Sequence, residues 1–234
     1  MPAHHKILLA ALRKNRRIRK HSQANDSYLS SGHHYYDISI PTLRALAKTW
    51  LKENKGIPHE QFLALLNCLY RGRSYEEKVL ASILLSYHRA GRRTIGLRQL
   101  DAWLDRLVGW AEIDSLCQNA FTADEMVADW RGWERFIRNL SRHQNINKRR
   151  AALVFLTTPV CDSDDERLAS LAFQAVETLK SEREIIITKA LSWLLRSLVK
   201  HHKPKVASYI KESRGSLPAI AVRETTRKIQ TGRK

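Results

Sequence analysis

The stretch SYEEKVLASILLSY, residues 74–87, decides the fold class of this chain. Ser74 and Glu77 stand three residues apart ahead of an apolar run. This is the pattern of a capping box, in which a hydroxyl and a carboxylate satisfy free N–H groups at a helix start. Apolar side chains then recur at helical spacing at Val79, Ile83 and Leu84. The stretch therefore predicts a helix that begins after Ser74.

The same signals recur along the chain, and the period-2 pattern of strands is almost absent. Three more capping-box patterns occur, at Ser or Thr followed by Glu: Thr122/Glu125, Ser163/Glu166 and Ser181/Glu184. Four prolines stand where a helix could begin: Pro41, Pro58, Pro204 and Pro218. Apolar periodicity fits further helices at roughly 5–20, 110–120, 131–140, 148–158, 164–179, 183–200, 204–213 and 218–230. We therefore predict an all-α protein.

The connections between these helices are short, and no long Gly/Ser/Pro linker interrupts the chain. We therefore expect a single domain over residues 1–234. Many short helices joined by tight turns are typical of antiparallel helix pairs stacked into an α-solenoid or superhelix, although no clean sequence period is present. A concave basic face on such a stack would cradle a nucleic-acid duplex.

The charge of the chain indicates a polyanionic partner. It carries 41 Lys and Arg against 23 Asp and Glu, a formal net charge of +18. Nucleic acid is the commonest such partner, because each neutralised phosphate releases counterions. An acidic membrane surface is the rival, but it requires a broad amphipathic segment or a lipid anchor, and neither is evident. An adaptor for an acidic protein or for RNA remains a further alternative.

Other classes of site receive no support from the sequence. The histidines at 4–5, 33–34 and 201–202 are adjacent pairs, unlike the i, i+4 spacing of helical zinc ligands, and no Gly-rich phosphate loop is present. We expect neither a metal nor another cofactor. Cys68, Cys117 and Cys161 are widely spaced among apolar neighbours, so we expect buried cysteines and no disulfide.

We expect the protein to reside in the cytoplasm. No apolar run approaches the roughly 18 residues of a membrane span, and residues 1–5 do not resemble the start of a signal peptide.

Two tryptophans share a helical face with charged residues. Lys189, Trp193 and Arg196 share one helical stripe with Lys200. Trp193 is therefore either an anchor for nucleic acid or a core residue at the border of the stripe. Trp110 and Asp114 are one helical turn apart, which presents an aromatic ring and a carboxylate together.

A carboxylate that faces a polyanion weakens binding and so needs a compensating role. Breaking an N-glycosidic bond is one such role, because the sugar develops positive charge that a carboxylate stabilises. The alternative is that Trp110 is a core residue and Asp114 a surface or capping residue.

The chain resembles the AlkD-like DNA glycosylases, the HEAT-like-repeat class of DNA alkylation repair enzymes. The resemblance runs over most of the chain, and it depends on the order and spacing of segments that are each weak alone. These segments are 27–29, 38–44, 74–78, 110–114, 145–152, 189–196 and 223–227.

The resemblance implies a superhelix of HEAT-like repeats that excises N3- or N7-alkylated purines from duplex DNA without a metal or cofactor. It makes Asp114 the catalytic carboxylate, and it makes Trp110 and Trp193 aromatic residues beside the deoxyribose of the lesion. Arg150 matches a phosphate-contacting arginine and Tyr28 an active-site tyrosine. Further expected DNA contacts are cations of the last three matching segments: Lys148, Arg149, Lys189, Arg196, Arg223 and Arg227.

Two positions depart from the family pattern. Ala111 stands where an acidic residue is frequent, and Asn147 stands where an aromatic residue is frequent. These departures bear on substrate range. The principal alternative function is a non-catalytic helical-repeat protein that binds damaged or branched DNA. We expect a monomer, since a solenoid that cradles DNA has no need to dimerise.

Overall fold

The computed structural model describes residues 3–17, 31–118 and 120–233. These ranges contain thirteen helices and no strand, apart from one isolated bridge between His34 and Ser74. The all-α prediction is confirmed. The helices are α1 Ala3–Lys14, α2 Ile40–Glu53, α3 His59–Tyr70, α4 Tyr75–Tyr87, α5 Arg89–Arg93, α6 Leu97–Leu104, α7 Gly109–Cys117, α8 Ala123–Ala128, α9 Trp130–Ser141, α10 Ile146–Asp162, α11 Glu166–Leu179, α12 Ile185–Glu212 and α13 Ala219–Thr231.

The chain divides into two compact units, Met1–Leu116 and Cys117–Lys234. The expectation of one domain over residues 1–234 stays a prediction. None of the helices within the described residues is long and apolar enough to cross a membrane. Across the same ranges, no three His, Cys, Asp or Glu side chains are grouped so that they could hold a metal ion.

In the first unit, α4 forms the centre of the core. It packs against α1, α2, α3 and α5. Its side chains Leu80, Leu84 and Leu85 are fully buried. The predicted capping box fixes its start: Ser74 Oγ accepts the Glu77 N–H at 3.2 Å, and the Glu77 carboxylate accepts the Ser74 N–H at 3.1 Å. Burial of an amphipathic helix on several neighbours supplies most of its stability.

In the second unit, α10 and α12 form the core. Every residue from Ala151 to Leu156 is fully buried, because α10 packs against α9, α11 and α12, and α12 packs in turn on α13. Four aromatic rings pack together in this unit, with neighbouring ring centroids 5.0–6.1 Å apart: Phe121, Trp133, Phe136 and Phe155.

Of the four predicted capping boxes, two form and two do not. The box at Thr122 and Glu125 forms at the start of α8, as the one at α4 does. The pattern at Ser163 fails because Asp165, the residue next to α11, caps that helix by accepting the N–H of Arg167. The pattern at Ser181 fails because α12 begins one turn later, after Glu184, and has no side-chain cap.

The first helix is shorter than expected. The helix expected at 5–20 ends at Lys14, where the Asn15 side chain donates to the carbonyl of Ala11 at 2.9 Å. The two helices expected at 183–200 and 204–213 are found as the two parts of α12, which are separated by a kink at His202, where the backbone leaves the helical region two residues before Pro204. The kink fits the break that proline imposes on the preceding turn.

The cysteines are less uniformly buried than expected. Cys117 is buried, whereas Cys68 and Cys161 are partly exposed. None of the three forms a disulfide within the described residues.

Candidate functional site

Helix α7 carries the first candidate pair. It begins at Gly109, whose φ of 77° lies in the left-handed region that favours glycine. Trp110 and Asp114 lie one turn apart on this helix, and both are half-buried. Ile113 and Leu116 are fully buried and anchor the opposite side of the helix in the core. The predicted juxtaposition of an indole and a carboxylate therefore exists at a surface that a ligand can reach.

A second carboxylate on α7 has a different environment. Glu112 is fully buried. One of its oxygens lies 2.7 Å from His33 Nδ1, and the other accepts the backbone N–H of Val108 at 2.9 Å. Both oxygens of Glu112 are thus engaged within the protein, whereas the Asp114 side chain is half-buried at the surface. Sequence reasoning missed this role of Glu112, because no spacing pattern links it to His33.

Tyr75, the first residue of α4, belongs to the same neighbourhood. Its pKa is raised well above the usual value, first by burial and then by the negative charges of Glu76, Glu112 and Asp114. Tyr35 packs beside it, with ring centroids 5.5 Å apart. Tyr75 therefore presents a neutral hydroxyl in the electrostatic field of Asp114. The sequence contained Tyr75 within a matched segment but gave no sign of this role.

Two further acids of α4 stabilise the same region. Burial raises the pKa of Glu76, whose carboxylate accepts the backbone N–H groups of Tyr36 and Ile38 at 3.0 and 3.3 Å. Burial by itself would raise the pKa of Glu77 as well. Hydrogen bonds from His5 and Ser74 outweigh this effect, so the pKa of Glu77 is lowered. Hydrogen bonds to these two acids thus hold segment 31–38 and helix α1 against the start of α4.

The buried cation of this region is Lys78, at 2% exposure. Burial lowers its pKa, and the charges of Glu112 and Glu77 act in the opposite direction. Its ammonium donates to the carbonyls of Tyr70 and Gly72 at 2.8 and 3.0 Å.

The expected DNA contacts on α10 lie in the second unit and are largely engaged within it. Lys148 and Arg150 are buried, at 2% and 5% exposure, and Arg150 donates to the carbonyl of Ile186. Arg149 forms a two-point ion pair with Glu182, with N–O distances of 2.6 and 3.2 Å. It also donates to two backbone carbonyls, at residues 143 and 144. This engagement gives all three side chains a role in the folded unit.

The expected contacts on α12 and α13 differ in exposure. Lys189, Arg223 and Arg227 are exposed. Arg196 is paired with Glu224 at 2.9 Å, and its side chain is 15% exposed. Glu224 also accepts the hydroxyl of Ser192 at 2.6 Å. The predicted stripe thus contains both exposed cations and one cation that ties α12 to α13.

Trp193 is half-buried and lines a cavity of about 490 Å³ between α12, α13 and the end of α10. The charged residues that line this cavity are all cations: Arg196, Lys200, Lys203 and Lys228. A second cavity of the same unit, about 640 Å³, is lined by both acids and bases, among them Arg142, Glu166 and Lys205. The all-cationic lining distinguishes the cavity beside Trp193 as one suited to an anion.

The predicted site residues are thus found in both units. Trp110 and Asp114 lie in the first, and the eight expected residues from Lys148 to Arg227 lie in the second. Tyr28 lies outside the described residues. The roles of all these residues in binding or catalysis stay predictions.

Comparison with known proteins identifies the family. A structure from Enterococcus faecalis described as a predicted DNA alkylation repair enzyme is similar to this chain, with a TM-score of 0.72 and 19% identity. The match covers 92% of this chain and 99% of that one. It shows a shared all-α helical-repeat fold. No curated protein matches the sequence. The profile of the family described as DNA alkylation repair enzyme matches residues 8–229, and the chain therefore belongs to that family.

Proposed function

We propose that this member of the DNA alkylation repair family is an AlkD-like DNA glycosylase that removes cationic N3- or N7-alkylated purines from duplex DNA. The observation that carries the proposal is the pair on α7: Trp110 and Asp114 lie half-buried on one turn of a strongly basic protein. A protein that only binds DNA gains nothing from a carboxylate placed to meet it, whereas hydrolysis of a glycosidic bond uses one.

The chemistry follows from the charge of the lesion. Alkylation at N3 or N7 makes the purine a cation, so the base leaves with the bonding electron pair as a neutral molecule and needs no general acid. Positive charge then develops on the deoxyribose, and the Asp114 carboxylate stabilises it. Water adds to the sugar carbon, its proton passes to Asp114 or to solvent, and the products are free base and an abasic site.

Three features of the site support this role for Asp114. Its neighbour Glu112 is buried and bonded on both oxygens, whereas the Asp114 carboxylate is half-buried at the surface. Burial and nearby negative charges, that of Asp114 among them, raise the pKa of Tyr75, so its hydroxyl stays neutral and can donate a hydrogen bond to the attacking water. Trp110 offers a flat apolar surface against which the sugar can pack.

The second unit supplies the proposed grip on the phosphate backbone. Lys189, Arg223 and Arg227 are exposed cations, and the cavity beside Trp193 is lined by further cations. Phosphate contacts by such side chains give affinity without regard to sequence. We assign Arg149, which is held by Glu182, to stability of the unit instead.

The test is release of free base from duplex DNA that contains N7-methylguanine, measured in single-turnover reactions with excess protein. We expect the wild type to release N7-methylguanine and Asp114→Asn to do so about 100-fold more slowly, the loss typical when one electrostatic group is removed from a site. Asp105→Asn removes the same charge from an exposed position of the same unit, and we expect it to match the wild type.

The outcomes separate the possible functions. Binding of alkylated DNA without release by the wild type would show a non-catalytic binder and overturn the glycosylase proposal. Equal release by wild type and Asp114→Asn would leave the activity intact but remove Asp114 from its role. Release of the uncharged base hypoxanthine at a similar rate would contradict the argument that the lesion's charge makes it a good leaving group.

A further inference from the structure

His33 connects a remote segment to the helix that carries the proposed site. Its Nδ1 lies 2.7 Å from Glu112 Oε1 across 79 residues of sequence. The other oxygen of Glu112 accepts the N–H of Val108 at 2.9 Å, immediately before α7 begins. The Glu112 side chain is fully buried, and that of His33 is 23% exposed. One imidazole thus completes the hydrogen bonding of a buried carboxylate that caps the start of α7.

The residues after His33 are fixed to the start of α4. The carbonyl of His34 accepts the N–H of Tyr75 at 2.9 Å, and the N–H of His34 donates to the carbonyl of Arg73 at 3.1 Å. The N–H of Tyr36 donates to Glu76 at 3.0 Å. Backbone hydrogen bonds at His34 and Tyr36 therefore hold this segment against the start of α4 and limit the positions that the neighbouring His33 can take.

We propose that His33 is a positioning residue: through its hydrogen bond to Glu112 it sets the start and the rotation of α7, and so the placement of Trp110 and Asp114. This proposal rests on the glycosylase function proposed above. It gives a role to one of the adjacent histidine pairs that the sequence analysis found unsuited to metal binding.

The physical argument concerns the cost of losing the imidazole. Without it, one oxygen of the buried Glu112 loses its donor, which is costly for a charged group. Lys78, the cation whose charge interacts with Glu112, does not replace that donor, because its ammonium is bonded to the carbonyls of Tyr70 and Gly72. Glu112 must then turn, the Val108 N–H loses its acceptor, and α7 shifts with both site residues.

The variants replace the His33 imidazole with side chains that keep, displace or remove the hydrogen-bond donor to Glu112. In His33→Asn the amide nitrogen takes the place of Nδ1, whereas in His33→Gln it lies one bond farther out, and His33→Ala has no donor. His34→Ala is the matched control, because the side chain of His34 packs on Tyr36 and its contacts with α4 are made by the backbone. For each full-length variant we would measure the single-turnover release rate of N7-methylguanine, the DNA affinity and the melting temperature.

We expect His33→Asn and His34→Ala to release base within about threefold of the wild type. His33→Gln and His33→Ala should be roughly 10–100-fold slower, the range expected for a displacement of reacting groups by about 1 Å. DNA affinity should change by less than about twofold in all four, because phosphate contacts dominate it. A wild-type rate in His33→Ala, or a loss that His33→Asn shares, would overturn the positioning role.

A second readout does not depend on activity. Hydrogen exchange of the segment that contains Val108 should quicken in His33→Ala and remain at the wild-type level in His33→Asn and His34→Ala, because the Val108 N–H loses its acceptor in the first variant alone. If the wild type releases no base, the proposed function fails, and hydrogen exchange still decides whether His33 holds α7. Unchanged exchange in His33→Ala would overturn the proposal.

Discussion

Glu112 and Asp114 lie two residues apart on α7, and the first is fully buried while the second is half-exposed. Two residues correspond to about 200° around a helix, so the two carboxylates point to different sides. Glu112 faces the core, where His33 and the Val108 N–H stabilise it. Asp114 shares the other side with Trp110. Helix geometry thus separates a structural acid from one that can meet a substrate.

We expect Gly109→Ala to lower the free energy of unfolding by about 1–2 kcal/mol, the usual cost of holding a residue with a Cβ in the left-handed region. Gly109 has a φ of 77° at the start of α7. Urea unfolding of both proteins measures the difference. Because Trp110 follows directly, base release should also slow.

Gly56→Ala is the control for this substitution. Gly56 lies in a turn and its φ is not positive, and no atom beyond its two chain neighbours lies within 4 Å of where a Cβ would be. We expect it to change stability by less than about 0.5 kcal/mol. Equal effects of the two substitutions would contradict the account of how α7 begins.

Two neighbouring acids should give stability opposite dependences on pH. The folded-state pKa of Glu77 is lowered from 4.5, mainly by hydrogen bonds that overcome burial. The ionised Glu77 side chain therefore contributes to the free energy of unfolding above its unfolded-state pKa, and this contribution is lost as pH falls through its folded-state pKa. The pKa of Glu76 is raised by burial, so its ionisation costs stability that is recovered as pH falls through the raised folded value.

The measurement is urea unfolding of wild type, Glu77→Gln and Glu76→Gln at pH 7 and at successively lower pH. The advantage of the wild type over Glu77→Gln should be roughly 1–3 kcal/mol at pH 7, as for hydrogen bonds to a charged group, and should shrink below the unfolded value of 4.5. The advantage over Glu76→Gln should grow as pH falls. The same trend in both variants would show that the acids do not differ as described.

Local signals in the sequence predicted the elements well, because a capping box involves groups three residues apart. The boxes at Ser74 and Thr122 are confirmed for that reason. The pattern at Ser163 is wrong because Asp165 stands nearer to the helix and caps it instead. Where two capping residues compete, the pattern alone cannot decide between them.

The site was harder to predict, because exposure and pairing depend on residues far apart in sequence. Spacing placed Trp110 and Asp114 on one turn, but it could not reveal that Glu112 contacts His33. Likewise, the sequence predicts Arg149 as a DNA contact but does not reveal its ion pair with Glu182, 33 residues away. Such long-range pairs leave no periodic pattern.

Exposed and ion-paired cations should contribute differently to DNA binding. Arg223 and Arg227 lie one turn apart on α13 and are exposed, so each can neutralise a phosphate. Each such contact adds about 0.9 to the slope of log affinity against log salt concentration. We therefore expect Arg223→Gln/Arg227→Gln to reduce the slope by about 1.8, and affinity at low salt to fall equally for undamaged and alkylated duplexes.

Arg149→Gln provides the contrast. Its guanidinium is held by Glu182 and by two backbone carbonyls, so we expect lower thermal stability with a nearly unchanged slope. Lys52→Gln/Lys55→Gln removes two exposed charges near the end of α2 and controls for net charge alone. A slope that falls as much in this control as in Arg223→Gln/Arg227→Gln would mean that binding follows total charge, and that α13 makes no particular contact with the phosphate backbone.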